Sequence, residues 1–583
     1  MKKRSRLEHL IPFNRHFFTG EERYTYIGEG SIGGKAQGLV DIRDTVSELN
    51  HRYSPDIEIN IPVFTVIATD FFDRFLKDNH LYDIAHSYRR DDQIARAFQR
   101  GNLSPQLVGD LRALISQVHS PLAIRSSSML EDAMFEPFAS VYTTKMIPNN
   151  QYDPDTRFRK LIEAIKYIYA STFFKNAKDY IAVTRHTTAD EKMAVIIQEV
   201  VGMRFGNRFY PQISGVARSY NFYPLGHAKP EQGVISLALG LGKIIVDEGK
   251  GWWYSPDYPQ VNPPYNSIAD LLEQSQTEFW AVNMGEPPTY DPIKETEYML
   301  KYNLIDAEND GNLHLIASTY IPGDDRIKPG IAYKGPRIVD FAPILKLNQI
   351  PLNEVIKRLL KSCEEKLESM VEMEFAVTAN SDSDSIRSTR LALLQVRPMV
   401  VNREKVDVTQ EELSSKKVMV ASESVLGNGD IGAIRDIIYI KPDKFEVSKT
   451  AVIAQELEKL NHQMVETKCP YLLIGFGRWG SSDPSGGIPL KFGQISGARV
   501  IVEATLPHMN VLLSQGTHFF HNITSFQVCY FSVAHWDKYT IDWQWLDRQR
   551  IMYETQFIRH VRPRAPLRIK VDGRTGRGGI WHG

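Results

Sequence analysis

Along the chain, short apolar runs that stop at glycine or proline alternate with stretches in which apolar residues recur every three or four positions. Residues 24–49, YTYIGEGSIGGKAQGLVDIRDTVSEL, predict a strand, a glycine-rich turn and a helix with Lys35 just inside its start. Residues 61–79, IPVFTVIATDFFDRFLKDN, predict a strand and then an amphipathic helix. KMAVIIQEVVG (192–202) has the continuous apolar character of a buried strand. QGVISLALGLGKIIVDEG (232–249) predicts two strands joined by a glycine turn. Between Pro256 and Pro329 proline, asparagine and charge become more frequent, the pattern of surface excursions. LNEVIKRLLKSCEEKLESM (352–370) carries the spacing of a surface helix. It leads into VEMEFAV (371–377), a polar loop TANSDSDSIRSTR (378–390) and LALLQVRPMV (391–400), which together predict strand, turn and strand.

The pattern changes after Pro398. VNREKVDVTQEELSSKK (401–417) reads as a linker, and a second unit begins near Val418. The end, RPRAPLRIKVDGRTGRGGIWHG, is basic and glycine-rich and predicts a solvated, poorly ordered tail. A chain of 583 residues exceeds one hydrophobic core, so about two to four domains are expected. The division that follows is an extension (1–23), a main unit (24–400), a linker (401–417), a smaller α/β unit (418–560) and a tail (561–583). No internal repeat appears.

Composition narrows the function classes. The formal net charge is −1 and charged residues make up 24%, so nothing global points to nucleic acid or a membrane surface. No run reaches the ~18 apolar residues of a membrane span. The basic start, MKKRSRLEHLIPFNRHFF, is too interrupted for a signal peptide. Cys363, Cys469 and Cys529 are far apart and form neither a zinc pattern nor a disulfide framework. A soluble, cytoplasmic protein is expected. Nothing in the pattern specifies an oligomeric state.

Three stretches carry candidate chemistry. In AIRSSSMLEDAMFEPFASVY (123–142) an apolar run ends in Arg125, Ser126, Ser127 and Ser128, a cluster that neither a strand nor a helix interior favours. A guanidinium fork with hydroxyls and turn amides suits a phosphate. The alternative is an arginine at a strand end followed by an N-cap serine, with Glu131 completing a capping box at Ser128, and on this stretch alone it is the simpler account. Glu372 and Glu374 are two apart, so on a strand they share one face, and Gln395 and Arg397 do the same on the partner strand. Such a face offers oxygen ligands to Mg²⁺ and an arginine to a phosphate held by that metal. An exposed cross-strand Glu–Arg pair is the alternative. The turn GEGSIGGKAQG (28–38) departs from the Walker A pattern, because Lys35 is not followed by Ser or Thr. Its small residues still let backbone amides approach a phosphate beside a lysine.

In order, GGKAQGL, AIRSSSMLED, VIIQEVV, VEMEF and LLQVRP resemble the nucleotide-binding domain of the pyruvate phosphate dikinase and phosphoenolpyruvate synthase family. Rifampin phosphotransferase and the glucan water dikinases share that domain. The resemblance covers roughly residues 24–400. It implies an α/β (α+β), ATP-grasp-like, two-lobed fold that clamps ATP, followed here by a smaller mixed α/β unit. It also implies that Lys35 and Arg125 contact the phosphates, with Ser126 beside them. Gln198, Glu199 and Val200 would form the adenine hinge. Glu372, Glu374 and Gln395 would hold Mg²⁺, and Arg397 would neutralise phosphate charge. Two stretches depart from the family pattern: SSSMLEDAMFEPFASVY, and SGVARSYNFYP (214–224), where a Ser-Gly-Val-hydrophobic-Phe-Thr run is usual.

The chain after residue 400 is too short for both the phosphohistidine domain and the pyruvate-binding barrel of a complete dikinase, and it contains no Thr-Ser-His-Ala. QGTHFFHNITS supplies His518 and His521, and Gly516 and Thr517 before His518 make it the better acceptor candidate; the phenylalanines beside them favour structural histidines instead. YLLIGFGRWGSS fits G-x-G-x-x-G at Gly475, Gly477 and Gly480, but DPSGGIP follows, so a loop is expected in place of a dinucleotide fingerprint. Two functions follow. One is an ATP- and Mg²⁺-dependent phosphotransferase acting on a histidine or another small-molecule or protein acceptor. The other is a regulatory or scaffolding protein that binds ATP without transferring phosphate.

Overall fold

The computed structural model describes residues 10–15, 23–53, 57–87, 89–129, 131, 141–181, 191–221, 224, 228–248, 251–263, 268, 271–272, 275–382, 385–399, 406–415, 417–480, 487–490, 492–507, 509 and 528–582. A first mixed sheet of six strands runs in the order Ile11–Pro12, Tyr24–Ile27, Phe64–Ile67, Met193–Glu199, Leu122–Ser128, Thr144–Ile147. The strand Leu122–Ser128 is buried throughout, which explains how three serines follow an apolar run without a break. Helix Pro154–Ser171 packs against it and helix Pro105–Gln117 against that helix, the former capped by Asp153 and the latter by Ser104, each with proline in the first turn.

A second sheet of six strands has the order Trp252–Tyr254, Val234–Ala238, Ile213–Arg218, Val371–Asp382, Ser385–Pro398, Ile57–Asn60. Its centre is the expected hairpin, but the strands run further than expected and take in most of the polar segment. The helix expected after the glycine turn forms as two pieces, Gly33–Asp41 and Arg43–Tyr53, the first lying between the two sheets. A correction concerns 232–249. Val234–Ala238 is a strand, but the second apolar run forms the helix Lys243–Glu248. Gly240 turns with φ +83°, and a Cβ there would lie 2.8 Å from the Trp280 carbonyl. Ile244 and Ile245 then pack back on Ala238, and so short an apolar run has no periodicity to reveal this.

The C-terminal unit is mixed α/β. Four parallel strands, Asp436–Ile440, Tyr471–Phe476, Ala498–Ala504 and Cys529–Val533, form the centre of a seven-stranded sheet, with helix Thr450–Glu466 connecting the first two. No helix opens within Gly475–Gly480, as a dinucleotide fingerprint would require, but the loop expectation is corrected: Gly475 lies in the strand Tyr471–Phe476, and Arg478–Trp479 is a short strand paired with Gly487–Ile488. The tail expectation does not hold. Arg568–Asp572 and Arg577–Trp581 form a hairpin in a four-stranded sheet with Val418–Ser422 and Asn428–Ile431. Its glycines answer close packing: a Cβ on Gly578 would lie 2.8 Å from Phe531. Three of its basic residues are paired, Arg568 with Asp430, Lys570 with Glu412 and Arg574 with Asp572. The expected linker is likewise packed from residue 406 on. Val406, Val408 and Leu413 are buried beside Ala421, and Thr409 and Glu412 form a capping box. Among the described residues no helix is long and apolar enough to cross a membrane.

An acid-sensitive contact holds this unit's sheet. Asp436 is buried, with His560 Nε2 2.7 Å away and Arg562 Nε donating at 2.9 Å. Burial raises its pKa, but the hydrogen bonds from His560 and Arg562 outweigh that and hold the carboxyl below its ordinary value. A depressed folded pKa contributes stability that is fully present above about pH 4 and is lost as pH falls through the folded value. Urea denaturation of the C-terminal unit is expected to show this loss in the wild type, and Asp436→Asn to remove that part of the acid dependence.

Candidate functional site

A cavity of about 570 Å³ lies between the two sheets. Lys35, Arg125, Gln198, Glu199, Val200, Glu374, Gln395 and Arg397 all line it. Ser126 and Glu372 stand immediately behind this lining, bonded to Lys35 and Arg397 respectively. His518 and His521 lie outside the described residues.

The serine cluster shapes the turn before Lys35. Ser127 Oγ accepts from the Ala36 amide at 3.1 Å and donates to the Ile32 carbonyl at 2.8 Å. Gly33 sits against this strand with φ +75°, where a Cβ would come within 1.8 Å of the Ser127 carbonyl oxygen; only glycine fits. Lys35 Nζ lies 2.6 Å from Glu131 Oε1 and 3.1 Å from Ser126 Oγ. Glu131 is itself buried, and its carboxylate accepts from Ser126 Oγ and from the Ser128 amide. The Glu131 amide donates back to Ser128 Oγ at 3.1 Å, so the reciprocal bonds of a capping box are present as well.

Arg125 is buried, and its fork crosses from the first sheet to the second. Nη1 donates to Leu394 O at 2.7 Å and to Gln198 Oε1 at 3.2 Å; Nη2 donates to Gln395 Oε1 at 2.9 Å and Glu374 Oε2 at 3.3 Å. The hairpin register explains the geometry. Glu374 pairs with Gln395 and Phe375 with Leu393, so a bulge leaves Leu394 without a cross-strand partner and its carbonyl meets the arginine.

The same register sets Glu372 opposite Arg397, on the shared face that the two-residue spacing predicts. Glu372 is buried, and each of its oxygens takes a guanidinium: Arg397 donates to Oε1 through Nε at 2.9 Å and through Nη2, and Arg218 Nε donates to Oε2 at 2.5 Å. A metal at Glu372 therefore competes with two arginines. Glu374 is more open, its side chain about a quarter exposed. Among the described residues no three His, Cys, Asp or Glu side chains are grouped to hold a metal by themselves.

At the expected hinge the amides of Glu199 and Val200 donate to the Val63 and Pro121 carbonyls, and Ser120 donates to the Glu199 carboxylate. Among the described residues the buried Nε2 of Gln198 has no partner, an orphaned donor in a residue that lines the cavity. Beside it the wall is apolar, from Ala123, Met146, Val200, Leu241 and Met299. Tyr142 lines the cavity further along; burial, reinforced by Glu191 and Glu131, pushes its hydroxyl well above the ordinary pKa and keeps it protonated.

Sequence reasoning missed Glu131 as the partner of Lys35, although its acid was visible three residues beyond Ser128. It also missed Arg218, whose meeting with Glu372 depends on strand register, and Lys243 and Glu295, brought to the cavity from the start of helix Lys243–Glu248 and from a separate turn. The model of the family described as pyruvate phosphate dikinase, AMP/ATP-binding domain, matches residues 29–417. No curated protein matches the chain.

Proposed function

Since the chain belongs to the family of the pyruvate phosphate dikinase AMP/ATP-binding domain, we propose that it is an ATP- and Mg²⁺-dependent phosphotransferase of the dikinase type. The observation that carries this reading is the convergence of Lys35, Arg125 and Arg397 with Glu374 and Gln395 on one cavity that also has an apolar slot. The slot and the orphaned Gln198 amide suit a purine, whose ring nitrogens accept hydrogen bonds. Lys35 and Arg125 hold the phosphate chain, and Arg125 does so by exchanging part of its fork from protein oxygens to phosphate oxygens. The Glu374 carboxylate and the Gln395 carbonyl oxygen are hard donors that fit Mg²⁺, which commonly takes one or two carboxylates together with substrate phosphates. When bound, the metal supplies neutralisation of phosphate charge. Glu372 orients Arg397 through paired hydrogen bonds, so that its guanidinium faces charge developing on the transferred group. The three free cysteines are stable in a reducing cytoplasm, where the same reading locates the protein.

The acceptor is a histidine or another group on a small molecule or protein. A dikinase leaves AMP, because the bond between the α- and β-phosphates breaks and the β,γ-pyrophosphoryl group passes to histidine; the γ-phosphoryl then passes to water or inorganic phosphate and the β-phosphoryl stays on histidine. An ordinary kinase leaves ADP. Incubation with β-labelled ATP followed by separation of nucleotides is expected to give AMP with acid-labile label on protein. Label lost in His518→Ala places the acceptor within this chain, whereas AMP formed only with a second protein places it elsewhere. ADP as sole product removes the dikinase assignment.

A second reading is kept because Arg125 and Arg397 are already engaged by protein oxygens. That arrangement also suits a protein that binds ATP as a signal without transfer. ATP binding with no turnover in the presence of candidate acceptors decides for it.

A further inference from the structure

Residues beyond 417 lie outside the family match, yet Gly480, Leu490 and Gly493 of the C-terminal unit line the same cavity as Lys35 and Arg125. The strands order that cavity. Ala123 belongs to the apolar slot, Arg125 pairs with Thr144, and the chain running back from Thr144 to Val141 passes beyond Arg125 on the side of Ser128. Asn176 Nδ2 donates to the Val141 carbonyl, which puts the helix Lys175–Ile181 at that far end. The turn Phe492–Ile495 packs on this helix, with a Cβ on Gly493 placed 3.1 Å from that of Asp179. The turn is held firmly within its own unit. Asn461 on the helix Thr450–Glu466 is buried, donates to the Gly493 carbonyl and accepts from the Gly497 amide and the Tyr471 hydroxyl. Across the contact Glu458 takes Lys175 and also accepts from Gln494. Leu490 and Gly493 are buried, and the hydrophobic core of the first sheet runs on into that of the C-terminal unit.

We propose that the C-terminal unit is a working part of the nucleotide site: docked on helix Lys175–Ile181, it walls the phosphate end of the cavity, so that nucleotide binding and docking strengthen each other. The proposal rests on the nucleotide reading of the cavity. Its physical basis is linkage. If a bound phosphate chain interacts with the docked arrangement more favourably than with the undocked one, anything that shifts the chain towards the undocked arrangement weakens nucleotide binding, by up to the factor that couples the two. Neither Lys175 nor Glu458 lines the cavity, so neither side chain contacts a nucleotide there, and the charge swap tests docking separately from local charge.

The test is titration calorimetry of the full chain with Mg·ATP, with thermal unfolding to verify that each variant is folded. Lys175→Glu sets like charges against each other and is expected to weaken binding about fivefold or more. The swap Lys175→Glu with Glu458→Lys is expected to restore affinity to within about twofold of wild type. Gly493→Leu, which forces the turn away from Asp179, is expected to weaken binding as well. Unchanged affinity in folded Lys175→Glu and Gly493→Leu overturns the proposal while leaving the nucleotide reading intact. Loss in Lys175→Glu that the swap does not restore, with normal binding in Gly493→Leu, overturns it too. Absence of Mg·ATP binding in the wild type overturns the nucleotide reading itself, and this proposal with it.

Discussion

Arg125→Lys is expected to lower Mg·ATP affinity by at least about tenfold, roughly 1.4 kcal/mol, and to lower the melting temperature at the same time. Lysine keeps the charge but offers one point of attachment where arginine offers a planar fork. In the structure that fork reaches four acceptors on two sheets: Gln198, Leu394, Gln395 and Glu374. A lysine cannot reach them all, and each buried acceptor left unsatisfied costs about 1–3 kcal/mol. Affinity and stability therefore fall together. Ser128→Ala separates the two interpretations of this stretch, because the bonds between Ser128 and Glu131 use atoms that do not face the cavity. It is expected to cost about 1 kcal/mol of stability with nucleotide affinity unchanged. Thermal unfolding and calorimetry on the two variants check both statements. An Arg125→Lys variant that binds Mg·ATP like wild type removes the arginine from the nucleotide site.

Glu374→Gln is expected to weaken Mg·ATP binding or turnover at least about tenfold, again roughly 1.4 kcal/mol. The substitution removes a charge and keeps the shape, so the fold is preserved. Of the two hairpin carboxylates Glu374 is the informative one. It reaches the cavity and shares only a 3.3 Å contact with Arg125, whereas Glu372 is enclosed by Arg397 and Arg218. Glu372→Gln therefore acts through the arginines it orients and is expected to disturb stability more than metal dependence. Titrating Mg²⁺ at fixed ATP distinguishes them: Glu374→Gln shifts the Mg²⁺ requirement, and Glu372→Gln leaves it in place. Unchanged Mg·ATP affinity and activity in Glu374→Gln remove the metal assignment.

The sequence alone determined the features that depend on spacing and local chain geometry. A two-residue spacing sets Glu372 and Glu374 on one face of a strand and Gln395 and Arg397 on one face of another, because successive strand side chains point to opposite sides. The observed register, Glu372 opposite Arg397 and Glu374 opposite Gln395, also depends on two bulges in the hairpin, which the spacing does not show. The turn before Lys35 was legible locally, since Gly33 tolerates the positive φ that the approach to Ser127 demands. Tertiary structure decided the rest. Whether Ile244 and Ile245 continue a strand or start a helix depends on what Ala238 and Trp280 leave open, not on their own pattern. The glycines and cations near the C-terminus have the composition of a tail until Phe531, Asp430 and Glu412 are brought beside them. Glu131 reaches Lys35 across 96 positions (131 minus 35) and Arg125 reaches Gln395 across 270. Separations of that size carry no periodicity, so pairing partners are selected only when the sheets pack and buried charges must be matched.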